Sequence, residues 1–159
     1  MRKRIFWIAF AVLALVLVAL RLTFFHTVRI EGSSMEGSLM SGDIVLVTAL
    51  HGPPERFDIV ECRFPGRSGT YIKRVIGLPG ERVEVSGYSV TIDGKTLLEE
   101  YVSTPAEDFS IELGNNEYLV LGDNRAESYD SREEDMGTLR QEDFIGRVQF
   151  VLWPLHRVK

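Results

Sequence analysis

Of the four lysines in this chain, only Lys73 stands inside an apolar strand-like segment, Tyr-Ile-Lys-Arg-Val-Ile. Strand alternation puts Tyr71, Lys73 and Val75 on one face and Ile72, Arg74 and Ile76 on the other. An ammonium taken out of water loses its charged form, so a desolvated lysine becomes a usable base near neutral pH. Arginine cannot be neutralised in this way, which makes Arg74 an ion-pair partner and not a base. The alternative is that Lys73 snorkels from a sheet face to water. A second candidate is Gly32-Ser33-Ser34-Met35. A serine in a glycine-led loop can present Oγ while nearby backbone N–H groups face a developing oxyanion, though most such loops are only turns. The third runs from Gly122 to Arg132, Gly-Asp-Asn-Arg-Ala-Glu-Ser-Tyr-Asp-Ser-Arg. Read generically it is a solvated loop. Its pairings, Asp123 with Arg125 and Asp130 with Arg132, also suit a buried network at the edge of a site.

His26, His51 and His156 lie in no context typical of a catalytic or metal-binding histidine. There is no Gly-x-Ser-x-Gly elbow, His-Glu-x-x-His, phosphate loop or dinucleotide fingerprint.

Two kinds of element must position these residues. From Ile5 to Leu20 every residue is apolar, preceded by Arg2, Lys3 and Arg4 and followed by Arg21, Leu22, Phe24 and Phe25. With Arg21 snorkelling, the run reaches the roughly 20 residues that a bilayer core requires. The basic start places the N-terminus inside and the chain after about His26 outside. A cleaved secretory signal has a shorter apolar core, about 7–15 residues, and a small-x-small site that Leu-Arg-Leu-Thr-Phe-Phe does not offer. The expected division is therefore a cap and anchor over 1–25 and an extracytoplasmic domain over 26–159.

The remainder reads as short strands: Thr27–Glu31, Asp43–Thr48, Asp58–Phe64, Tyr71–Ile76, a hairpin Arg82–Val85 and Tyr88–Ile92 around Ser86-Gly87, Glu117–Leu121 and Ile145–Trp153. Leu78-Pro79-Gly80 and Asp93-Gly94 are turn signals. Residues 96–116 read as a loop excursion with one short strand near Phe109–Leu113. About eight close-spaced strands predict a mainly β domain, an antiparallel barrel or folded sheet.

Charge follows the same division. The chain has 18 basic and 23 acidic side chains; four of the basic ones and no acid fall in the first 25 residues, leaving the rest at −9. A domain that acidic, without a basic stripe, is not a nucleic-acid binder. Cys62 is alone, so no disulfide framework or cysteine metal cluster is expected, and it reads as a small buried hydrophobe.

The three chemical segments, in this order, resemble the type I signal peptidases, membrane serine–lysine enzymes that remove signal peptides from exported proteins. Ser34-Met35-Glu36-Gly37-Ser38-Leu39 is similar to the family's nucleophile box, and Gly42-Asp43-Ile44-Val45-Leu46-Val47 to the box after it. Tyr71 to Gly80 resembles the lysine box, Gly122 to Arg132 the last box, and Trp153-Pro154-Leu155 the usual ending. The resemblance implies Ser34 as nucleophile, Lys73 as general base and Ser128 as the group that orients Lys73. It further implies that Asp130 and Arg132 hold the loop and that Asp123 lies close to Arg74. Val28, Ile30, Met35, Leu39 and Ile72 fall where the family lines shallow pockets for small side chains.

The family usually has proline where this chain has Gly37, which predicts a looser turn after the nucleophile. Some members place a serine hydroxyl in the oxyanion hole at the position of Gly32, so here backbone N–H groups, including that of Ser34, are expected to serve. The accessory insertion of some relatives is reduced to about 94–116. The expected partners are preprotein signal peptides and the lipid bilayer, with no metal or organic cofactor. Two other readings compete. A self-cleaving repressor of the SOS type shares the chemistry but needs a DNA-binding module, and a tethered binding domain would leave the site inactive.

Overall fold

The computed structural model describes residues 2–154, except for the side chains at 2, 17 and 19–23. Leu155 of the expected ending, His156 and Lys159 lie outside the described residues. The N-terminal run is one helix, α1 (Arg2–Phe24). Its described apolar side chains, Ile5, Phe6, Trp7, Ile8 and Phe10 among them, stand exposed. Among the described residues no helix is long and apolar enough to cross a membrane. The chain passes from α1 directly into β1 (Phe25–Arg29).

Among the described residues ten strands follow α1, more than the eight or so expected, and they form two antiparallel sheets. The larger sheet contains β1, β2 (Ile44–Ala49), β3 (Ile59–Cys62), β4 (Tyr71–Gly77), β9 (Leu119–Leu121) and β10 (Phe144–Trp153). Its spatial order is β1-β2-β10-β3-β4-β9. The smaller sheet contains β5 (Arg82–Gly87), β6 (Ser89–Ile92), β7 (Lys95–Thr96) and β8 (Ala106–Glu112), in the order β7-β6-β5-β8. The domain is thus the folded-sheet form of the expectation, with β1 and β9 at the ends of the larger sheet.

Two local expectations are corrected. The β5–β6 hairpin turns at Gly87-Tyr88, because Ser86 pairs with Ser89 and so lengthens β5. Residues 96–116 are not an excursion with one short strand: β8 begins at Ala106 and pairs with β5 along its length. Its exposed positions are polar, and the half-buried Phe109 and Ile111 pack on the apolar cluster of Val83, Val85 and Leu113. The Asp93-Gly94 signal holds. Both residues have positive φ (49° and 79°) and join Ile92 to Lys95 in a two-residue turn, the backbone twist a tight hairpin requires.

Strand β4 lies between β3 and β9, so both its edges are paired, and apolar clusters pack on its faces. Tyr71 and Val75 pack with Val60, Cys62 and Phe64; Ile72 packs with Val28, Val45 and Ile59; Ile76 joins Val83 and Leu119. The alternation read from the sequence is therefore real, but neither face is open to water. Cys62 is fully buried, and desolvation pushes its thiol up to about 12, the state of an inert hydrophobe.

Candidate active site

Lys73 is 3 % exposed, which removes the snorkelling alternative. Val60 stands opposite it on β3, and its Nζ donates to Ser128 Oγ at 3.1 Å. Burial holds its amine below the usual lysine value, against the opposing pull of Asp130.

Ser34 is half-buried in a tight turn, in which the Glu36 amide donates to Ser33 O and the Leu39 amide to Met35 O. Ser34 and Lys73 line one cleft of about 390 Å³, together with Val28, Ile30, Met35 and Ile72. Leu39 does not line it; it is fully buried behind, in the same apolar cluster as Met35 and Ile30. Gly32 stands exposed at the head of the turn with φ +85°.

The segment from Gly122 to Arg132 leaves β9 and folds over these groups. Ser131 is tied to β9 by reciprocal bonds with Val120. Asp130 accepts from the Gly122 amide (2.9 Å) and from Arg132 Nε (2.8 Å). Arg132 also donates to the carbonyls of Arg125 and Ser128, which fixes the loop carrying the Ser128 hydroxyl.

The Asp123–Arg125 pairing expected from the sequence does not form. Asp123 instead receives Arg74 bidentately, Nε at 2.9 Å and Nη2 at 2.7 Å, both residues being buried. Arg74 also donates to Ser38 Oγ and to Phe57 O, and its guanidinium lies 3.7 Å from the Tyr101 ring centre. Arg125 pairs with Glu99 at 2.7 Å, and the Tyr101 hydroxyl donates to the same carboxylate. Asp123 and Arg125 point apart on an irregular loop, so each meets a partner from elsewhere in the chain. Leaving either member of such a buried pair unmatched costs roughly 3–5 kcal/mol.

Sequence reasoning missed the residues that grip the turn carrying Ser34. The Asn124 amide donates to Ser34 O (3.0 Å), and its side chain donates to Ser33 O (3.2 Å). Thr104 Oγ1 donates to Asn124 Oδ1 (2.6 Å) and accepts from the Ala126 amide (2.9 Å). Ser103 Oγ donates to Glu36 O at 2.7 Å. Residues 99–104 thus form a strap joining the nucleophile turn to the last box. No local signal marks it, because its partners are twenty or more positions away.

Gly37 lies directly against this strap, which packs on the turn where a looser turn was expected. It has φ +117°, and a Cβ there would overlap the Tyr101 carbonyl oxygen. The missing side chain is the space that the strap occupies.

Comparison with known proteins agrees with this geometry. The profile of the family described as signal peptidase, peptidase S26, matches residues 2–153. Signal peptidase I P of Bacillus subtilis subsp. natto is 32 % identical over 169 residues, covering 96 % of this chain and 91 % of the relative. Signal peptidase I of Bacillus caldolyticus is 34 % identical over 158 residues, covering 87 % and 85 %. The crystal structure of a signal peptidase I from Enterococcus faecalis V583 matches with a TM-score of 0.56 at 32 % identity, over 62 % of this chain and 98 % of that one. The molecule is a serine peptidase. The chain belongs to the signal peptidase family S26, among the type I enzymes.

Two substitutions test the close approaches. A Cβ on Gly122 would overlap Ser128 Oγ and Ser34 O together. Gly122→Ala is expected to lower kcat about 100-fold, with KM little changed in preprotein cleavage assays. Gly37→Pro, although it restores the family's usual residue, demands φ near −65° where the chain has +117°. It is expected to destabilise the protein by more than about 1 kcal/mol in denaturant titrations.

Proposed function

We propose that the protein cleaves signal peptides from exported preproteins, with Ser34 as nucleophile and Lys73 as general base. The observation that carries this reading is a buried, Ser128-bonded lysine in the same cleft as a serine whose hydroxyl has no hydrogen-bond partner among the described residues. Neutral Lys73 takes the Ser34 proton, and Oγ attacks the carbonyl after a small residue. The Ser34 amide, likewise without a partner among the described residues, is the oxyanion donor. Lys73 then protonates the leaving amine and activates water for deacylation. Ser128 orients the amine; Asp130 with Arg132, and Arg74 with Asp123, hold the loop that carries it. No metal or organic cofactor enters these steps.

The substrate enters as an extended strand beside β1. The backbone of Ile30 bonds to Asp43 and Gly42 on the β2 side, so alternation turns the backbone N–H and C=O groups of Arg29 and Glu31 away from β2, where an added strand would pair with them. Val28, Ile30, Met35 and Ile72 provide shallow apolar walls that exclude large side chains.

Helix α1 is the anchor: the described residues alone do not make up a span, and the apolar run of the sequence continues through positions 17, 19 and 20, whose side chains lie outside them. At 1.5 Å per residue its 23 residues extend about 35 Å, against a hydrocarbon core of about 30 Å. The basic start keeps the N-terminus in the cytoplasm, so the peptidase domain faces outward. Tethering enzyme and substrate to one bilayer raises the substrate's effective concentration.

Preprotein cleavage in detergent tests the chemistry. Ser34→Ala, Lys73→Ala and Lys73→Arg are each expected to lose at least ~10³-fold in kcat. Cleavage by Lys73→Arg at the normal rate would overturn the neutral lysine. The active form lacks a proton, so kcat should rise with pH through a midpoint below the usual lysine value of about 10.4. Asp130 opposes the shift, so Asp130→Asn should move that midpoint to lower pH. The anchor is tested by alkaline carbonate washing of membranes. The full chain should remain with the lipid, and release of the full chain would refute the span.

A further inference from the structure

A second cavity, of about 510 Å³, opens at the other partner of the Lys73–Ser128 bond. The buried Ser128 and half-buried Arg132 lie at its inner side, with Phe109 on one wall and the exposed Glu107, Asp108 and Glu133 around its mouth. It shares no lining residue with the cleft of Ser34; the two meet where Lys73 Nζ donates to Ser128 Oγ.

An extended chain laid across Ser34 has residues on both sides of the bond that is cut. Val28, Ile30, Met35 and Ile72 accommodate one side only. On the other side is the new amine, which must lie at Lys73 to receive its proton. A strand advances about 3.3 Å per residue, so the next few residues pass the Lys73–Ser128 bond and reach the second cavity.

The charge of that cavity is one-sided. Arg132 is neutralised by Asp130, and Arg125, which also lines the cavity, is neutralised by Glu99. Glu107 and Glu133 form no ion pair among the described residues, and Asp108 accepts from the neutral Ser86 hydroxyl at 2.6 Å. Three carboxylates therefore set the local field, which reaches about 8–10 Å at moderate salt.

We propose that this cavity binds the first residues of the released chain and that Glu107, Asp108 and Glu133 make it favour basic residues and disfavour acidic ones there. The proposal rests on the assignment of Ser34 and Lys73, and it adds a specificity set by residues outside the catalytic machinery.

The test uses the full-length protein in detergent and matched preproteins carrying Lys, Gln or Glu at the second to fourth positions after the cut. In the wild type, kcat/KM should fall in the order Lys, Gln, Glu, by about two- to fivefold per step, with the spread narrowing as salt is added. Glu107→Lys combined with Glu133→Lys should reverse the order. Glu107→Gln with Glu133→Gln should flatten it. No dependence on these positions in the wild type, or an order unchanged by charge reversal, would overturn the proposal. Cleavage of the Gln substrate by Ser34→Ala at the wild-type rate would instead overturn the underlying site, so the two failures are distinguishable.

Discussion

A lysine amine can act as a base near neutral pH only while water is kept from it, and the surroundings of Lys73 serve that requirement. An ammonium in an apolar interior is destabilised by several kcal/mol relative to water, and loss of the proton relieves this. Strand β4 supplies the burial by running between β3 and β9, with apolar clusters on both faces. Ser128 supplies a hydrogen-bond partner for the amine, so the group is dry without being unsatisfied. Asp130 lies near enough to pull the other way, and the last box holds it engaged with Arg132 and the Gly122 amide. The balance between desolvation and this carboxylate sets how readily Lys73 gives up its proton.

Such a balance needs fixed positions, and two absent side chains help to fix them. At Gly122 there is no room for a Cβ between Ser128 Oγ and Ser34 O, so the last box lies directly on the nucleophile turn. At Gly37 the missing Cβ admits the Tyr101 carbonyl and brings the 99–104 strap onto the turn's other side. The strap is itself held by Tyr101 on Arg74, by Glu99 on Arg125 and by Thr104 on Asn124. Loop residues therefore gain a rigidity that neither sheet gives them. Replacement of the family's proline by glycine and the inward placement of the strap are one structural feature.

Much of this was legible in the chain. The apolar helix, most of the larger sheet and the Asp93-Gly94 turn follow from periodicity and turn chemistry, which act over a few residues. The odd position of Lys73 among Tyr71, Ile72, Val75 and Ile76 was visible for the same reason. The pairing of Asp123 with Arg74 followed only from the family resemblance, because nearness in sequence suggested Arg125, whereas the loop's irregular backbone aims those two side chains apart. The 99–104 strap was read as an excursion because its polar residues look solvated until their partners, Asn124, Arg125 and the Glu36 carbonyl, are brought to them.

By itself, then, the sequence determined the strand faces, the apolar first helix and the residue types able to do serine–lysine chemistry, since these depend on local periodicity and functional groups. Only the tertiary structure decided whether Lys73 was dry, that Arg125 would meet Glu99 and what fills the space beside Gly37. Burial and charge pairing are properties of what surrounds a residue in space, and in this protein those surroundings come from distant segments of the chain.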